Sequence, residues 1–344
     1  MANHPSQQKI LITGASGFVA AHVLNSFLKN GYHVRGTVRS EATAEAVRKS
    51  HARYADQLSF AIVPDISAPH AFDKAVVGVD GVIHTASPFQ LNVEDNERDL
   101  LQPAIQGTTS ILEAVAKHAP NVRRVVITSS FAAIIDMGKP NGGAGYTYTE
   151  EDWNPCTYEE AVKGSGPVAY CASKAFAERA AFDYVKEHKP KFDVVSINPP
   201  MVYGPLDHAV SDPKKLNTSS ADIYRFLDGS SKEIGPTAFP AFADARDLGE
   251  AHLRGYEVPE AGNQRFAITS GNFTYNQVCE ILREAYPNLA DKIPDPSKEP
   301  APTVDQLPHL SNERAKKVLG MTFRSLEECM KDTAESLLKI GNKQ

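Results

Sequence analysis

Short apolar runs alternate with longer amphipathic stretches through the N-terminal part of the chain. The runs predict strands at residues 9–13, 33–38, 58–63, 81–84, 124–128 and 193–198. Between them apolar positions recur at helical spacing over 19–29, 43–53, 71–77, 97–118 and 172–187. Strands joined through helices need right-handed crossovers, which place the strands parallel and cover both sheet faces. The pattern therefore predicts an α/β fold with a doubly wound parallel sheet. Between residues 136 and 167 the alternation dissolves into Gly, Pro, Tyr and acidic residues and includes Trp153. So long a loop just before a helix reads as a wall of a functional cleft. Beyond Pro205 the helices shorten (220–227, 274–285, 325–338) and a proline-rich connector spans 294–308. The expected division is 1–204 for a nucleotide-binding domain and 205–344 for a smaller, mainly helical substrate lobe, with room for a strand to return to the main sheet.

The 344 residues can bury a sizeable core. A net charge of −6 without a long basic run argues against nucleic acid or an anionic membrane as partner. Four scattered cysteines, Cys156, Cys171, Cys279 and Cys329, suggest neither a metal site nor a disulfide framework. No apolar stretch is long enough for a leader or a membrane span. The expectation is a cytoplasmic protein, monomer or homodimer, acting on a small molecule.

The first strand runs into Thr13-Gly14-Ala15-Ser16-Gly17-Phe18-Val19-Ala20. In a strand–turn–helix of this spacing Gly14 makes the sharp turn, Gly17 admits a pyrophosphate and Ala20 lets helix and strand approach. The new helix presents its N–H groups to the phosphates. Arg39 falls at the end of the second strand, where an acidic residue would select NAD and an arginine accepts the 2′-phosphate of NADPH. Ser40 reads as a helix cap, and Arg35, earlier on the strand, as structural. Asp65, followed by Ile66 after the third strand, suits either an adenine contact or a helix cap.

Tyr170 and Lys174 stand one helical turn apart, so the ammonium is placed to stabilise a phenolate and lower the tyrosine pKa. Carbonyl reduction needs such a proton donor and a second group to hold the oxygen as charge develops. Thr128-Ser129-Ser130 closes the fifth strand at its carboxyl end, making Ser130 the candidate for that second role. Thr85, Ala86 and Ser87 after the fourth strand, and Pro199 after the sixth, line the same crevice. His84 reads as a satisfied strand-end histidine. No metal set is assembled.

With TGASGFVA, HTASPF, EEDWNP (150–155), AYCASK, NPPMVYGP and LNTSS (216–220) the chain resembles the extended short-chain dehydrogenase/reductase family over essentially its whole length. Within it the chain is similar to the fungal NADPH-dependent methylglyoxal and aldehyde/ketone reductases, with plant dihydroflavonol reductases more distant. The resemblance implies cofactor contacts at Gly14, Ala15, Ser16, Gly17, Phe18, Val19, Arg39, Asp65, Ile66, Tyr170, Lys174, Val202 and Ser219. It also implies a catalytic trio of Ser130, Tyr170 and Lys174.

Two departures stand out. Thr43 occupies a position that is basic in some relatives, so the 2′-phosphate rests mainly on Arg39. Ile135 replaces an asparagine that holds ring hydroxyls in the flavonoid reductases, which favours an apolar pocket walled by Phe89, Phe131, Ile135 and Met201. The expected function is NADPH-dependent reduction of aldehydes and ketones. The alternatives are a sugar-nucleotide epimerase or dehydratase of the same superfamily and a non-catalytic NADPH-sensing regulator.

Overall fold

The computed structural model describes residues 4–87, 93–237, 239–303 and 306–341. Its strands are β1 (Lys9–Thr13), β2 (His33–Val38), β3 (Leu58–Ile62), β4 (Gly81–His84), β5 (Arg124–Thr128), β6 (Thr147–Tyr148), β7 (Asp193–Asn198), β8 (Met201–Tyr203), β9 (Ala241–Asp244), β10 (Arg265–Ala267), β11 (Gly271–Asn272) and β12 (His309–Leu310). Its α-helices are α1 (Phe18–Lys29), α2 (Glu41–Ser50), α3 (Gln102–His118), α4 (Tyr158–Lys163), α5 (Gly166–His188), α6 (Thr218–Leu227), α7 (Ala245–Glu257), α8 (Tyr275–Ala285), α9 (Glu313–Leu319) and α10 (Leu326–Gly341).

Seven strands form the main sheet in the order β10-β7-β5-β4-β1-β2-β3, every pair parallel. Alternation along β1 explains its two-sided burial. Ile10 and Ile12 pack with Val23, Leu24 and Phe27 of α1 and Leu248 of α7, whereas Leu11 packs with Ile111 and Leu112 of α3 and Ala181 of α5. The strand order reverses between β1 and β4, so a crevice opens at their carboxyl ends. This is the doubly wound Rossmann arrangement.

Residues beyond 205 contribute to both layers. Helix α7 packs on α1 and the main sheet, and β10 pairs with β7 in the register Arg265↔Ser196, Phe266↔Ile197. The remaining lobe is built on β8, β9 and β11 with α6, α8 and α10, around Phe226, Phe242, Phe273 and Met330. The Asp222 carboxylate accepts from both Tyr203 and Tyr275 at 2.8 Å and ties this core together.

Three departures from the pattern stand out. Residues 71–77 form turns, not a helix, and the Arg35 guanidinium donates to the Ala75 and Val77 carbonyls at 2.8 and 2.7 Å. The stretch 97–118 opens with a π-helical turn, Glu97–Leu101, before α3 begins. Helix α5 starts at Gly166 with Pro167 in its first turn, earlier than residue 172, so Tyr170 and Lys174 are both helical. Among the described residues no helix is long and apolar enough to cross a membrane.

Candidate active site

The glycine loop is seated by its neighbours. Gly14 has φ +67°, and a Cβ there would lie 3.1 Å from Ala86 Cα, so only glycine fits both the backbone and the space. Its N–H donates to Thr37 Oγ1 at 3.0 Å, and Ala15 N–H donates to the Thr37 carbonyl at 2.9 Å. Gly36 on β2 makes room for Ala15, whose Cβ would be 2.7 Å from a Cβ at position 36. Gly17 then caps α1 without a side-chain hydrogen bond, leaving the first N–H groups of the helix facing the crevice beside exposed Ser16. Such a cradle fits a dinucleotide pyrophosphate, with Phe18 and Val19 in the first turn.

Arg39 is exposed just past β2, and among the described residues its guanidinium has no hydrogen-bond or ion-pair partner. Ser40 caps α2 by accepting from Thr43 N–H at 3.3 Å. Asp65 closes a tight turn, accepting from the amide and hydroxyl of Ser67 at 2.9 and 2.6 Å, and these bonds hold its carboxyl below the usual range. Ile66 is partly buried against the α3 face of the core. Val202 leans on the α1 face, and Ser219 lies in the first turn of α6 with its hydroxyl accepting from Asn217 at 2.9 Å.

Past β4, Thr85 Oγ1 donates to the Thr13 carbonyl and Ala86 N–H donates to Thr13 Oγ1 at 3.0 Å, locking this loop to β1. Ser87 accepts a 2.7 Å hydrogen bond from Lys174 Nζ. His84 is buried, with Nδ1 3.0 Å from Thr13 Oγ1 and its ring edge-on to Phe72. Burial, reinforced by Lys174, holds it down to about 4, so it is neutral near pH 7 and structural.

The three catalytic candidates meet. Ser130 caps a 3₁₀ turn, accepting from Ala132 N–H at 3.1 Å, and its side chain hydrogen-bonds Tyr170. Lys174 Nζ stands 5.7 Å from the Tyr170 ring centre. Pro199 accepts from Phe131 N–H at 2.8 Å and joins the ends of β5 and β7 behind them.

The electrostatics depart from the sequence expectation. Burial pushes Tyr170 up to about 12, Cys171 adds to that, and only the Ser130 hydrogen bond pulls it down. Burial also lowers Lys174 to about 8. The lysine was expected to depress the phenol, but here it points to Ser87 and the low-dielectric pocket favours the neutral form of both groups.

The pocket expectation also needs correction. Phe131 and Ile135 are each only 3% exposed and pack with Ile134, Tyr148, Ala267 and Leu310, the Phe131 ring standing edge-on to Tyr148. The β6–β12 ribbon folds over them, so they form a small core and not a pocket wall. Met201 leans on the lobe core, and Phe89 lies outside the described residues.

Four residues that the sequence did not single out support the trio. Buried Glu178, Arg265 and Asn198 join half-buried Ser129 in a polar cluster next to Ser130 and Lys174. Their separations in sequence conceal them, and only the Tyr170–Lys174–Glu178 spacing along one helix face offered a signal.

Residues 10–269 match the NAD dependent epimerase/dehydratase family. The chain belongs to this family, the extended short-chain dehydrogenases/reductases. It is 40% identical to the ketoreductase azaE of Aspergillus niger over 338 residues, 96% of this chain and 98% of that one. It is 38% identical to the NADPH-dependent methylglyoxal reductase GRE2 of Saccharomyces cerevisiae over 340 residues, 96% and 98% of the two chains. The solved structure of the yeast methylglyoxal/isovaleraldehyde reductase Gre2 complexed with NADPH superimposes with a TM-score of 0.88 at 36% identity, covering 98% of this chain and all of that one.

Proposed function

We propose that this family member is an NADPH-dependent carbonyl reductase that converts small aldehydes and ketones to alcohols. The observation that carries the proposal is the contact of Ser130 with Tyr170, one turn from Lys174, at the crevice where the glycine loop begins. NADPH, when bound, supplies the hydride. The residues that would hold it are Gly14 to Val19 around the phosphates, Arg39 at the 2′-phosphate, Asp65 and Ile66 toward the adenine, and Thr85, Ala86, Ser87, Pro199, Val202 and Ser219 along the crevice. Tyr170 and Lys174 complete that set.

Tyr170 would give its hydroxyl proton to the substrate oxygen as that oxygen gains charge. Ser130 steadies that oxygen by hydrogen bonding. The Lys174 ammonium, charged near neutrality with its pKa at about 8, balances the phenolate left behind. Met201 remains the proposed contact for the substrate's organic part. Every residue in this scheme comes from one chain, which fits a monomer or a homodimer; the proposed compartment is the cytoplasm.

Arg39 favours reduction with NADPH over an epimerase cycle on tightly held NAD, and the Tyr170–Lys174 pair argues against a sensor without turnover. Cofactor consumption with a panel of aldehydes, 1,2-dicarbonyls and keto esters tests the proposal. Stoichiometric NADPH oxidation and alcohol formation are expected; binding without turnover across the panel would contradict it.

A further inference from the structure

The Glu178 side chain is fully buried on α5, one turn beyond Lys174. Its carboxylate takes three short hydrogen bonds from three different strand ends. Oε2 accepts from Ser129 Oγ at 2.6 Å and from Asn198 Nδ2 at 2.7 Å, and Oε1 accepts from Arg265 Nε at 2.6 Å. Asn198 Nδ2 also donates to the Ser130 carbonyl at 3.2 Å, and its Oδ1 accepts from Ser196 at 3.0 Å.

Arg265 is fixed in turn from outside. Its Nη1 donates to the Glu150 and Asp152 carbonyls at 2.7 Å each, and Trp153 lies against the guanidinium at 3.6 Å. Arg179, next to Glu178 in sequence, covers the same ring at 4.2 Å.

We infer that Glu178 is a positioning residue that fixes Ser130 relative to Tyr170 and Lys174. The inference rests on the proposed roles of those three residues. Tyr170 and Lys174 ride on α5, whereas Ser130 rides on the end of β5. Nothing in the covalent chain sets the distance between these elements closely. The Glu178 carboxylate does so by gripping Ser129, the immediate neighbour of Ser130, and Asn198, which holds the Ser130 carbonyl.

A buried ion pair is a poor way to gain stability, because apolar packing serves as well or better. The directional bonds that the Glu178 carboxylate accepts do supply geometry, even though Arg265 Nη2 is buried without a partner. Geometry matters here because a cavity of about 30 Å³ adjoins Lys174, Ser129 and Glu178, leaving these side chains room to shift if the grip loosens. The Trp153 loop completes the device by holding Arg265 from the far side.

The test compares Glu178→Gln and Ser129→Ala, each with Ser130 intact and in a Ser130→Ala background. Carbonyl turnover, substrate KM, NADPH affinity and thermal unfolding are measured for each. Glu178→Gln keeps the shape but weakens the bonds to Arg265 and Ser129. It should lower kcat about 10- to 100-fold, the scale of an ångström-level misplacement, while KM and NADPH affinity hold. Ser129→Ala should act in the same direction with a smaller loss. In the Ser130→Ala background both should change kcat less than about threefold, since the group they place is gone.

Equal losses in both backgrounds would overturn the inference, as would a lower unfolding temperature with wild-type kcat. If Glu178→Gln does not fold, the Ser129/Ser130 cycle decides alone. Tyr170→Phe is assayed alongside. Its retaining full activity would remove the underlying mechanism; an inactive Tyr170→Phe beside unchanged positioning variants would remove only the role of Glu178.

Discussion

Lys174 donates to Ser87 at 2.7 Å, which fastens the middle of α5 to the loop after β4. The two residues are far apart in the chain, yet they meet where the main sheet reverses its strand order. The contact places the lysine beside the loop that follows β4. Burial is the cause that lowers the lysine's pKa.

That titration makes stability depend on pH. Lys174 titrates at about 8 in the folded protein against 10.5 as a model group. Between these values the unfolded chain binds more protons, so stability from this site is lost as pH falls through about 8 and is fully present above 10.5. Lys174→Met removes the dependence. The unfolding temperature of the cofactor-free wild type should therefore rise relative to that of Lys174→Met as pH climbs through this window. A constant difference would show that the lysine is not desolvated.

Arg39 is the proposed contact for the 2′-phosphate. A charge-assisted contact of this kind is worth about 1.5–3 kcal/mol, or roughly 10- to 150-fold in affinity. Arg39→Ala should weaken NADPH by that order in a fluorescence titration and leave NADH nearly unchanged. Equal losses for both cofactors would assign the arginine to the fold.

Ile135 tests the corrected pocket. Truncating a buried isoleucine among Phe131, Tyr148 and Leu310 should destabilise the protein by about 2–5 kcal/mol in denaturant unfolding. The ranking of small against bulky ketones should stay the same. A shifted ranking with unchanged stability would return Ile135 to the substrate.

The main sheet and the glycine turn after β1 were legible because both depend on local signals. Five of the six expected strands, including Lys9–Thr13 and Asp193–Asn198, have the bounds read from their apolar runs, and the sixth ends one residue early. Gly14, Arg39 and Ser130 follow the carboxyl ends of β1, β2 and β5, and Tyr170 and Lys174 lie on α5. Strand β10 escaped because three residues, Arg265–Ala267, carry no periodic signal and are stabilised by pairing with β7. The turns at 71–77 are tied to β2 by Arg35, a contact that no local pattern reports. The burial of Ile135 depends on the distant β6–β12 ribbon, and the Glu178–Arg265 pair spans 87 positions. No local pattern reports such contacts.

The most direct measurement is carbonyl reduction by Tyr170→Phe, which removes one hydroxyl and keeps the ring. The variant should fold, unfold at nearly the wild-type temperature and bind NADPH with unchanged affinity. Its turnover should fall roughly 10²- to 10⁴-fold, the usual share of general acid catalysis. A folded, NADPH-binding Tyr170→Phe protein that reduces carbonyls at the wild-type rate would contradict the assignment of Tyr170 as the proton donor.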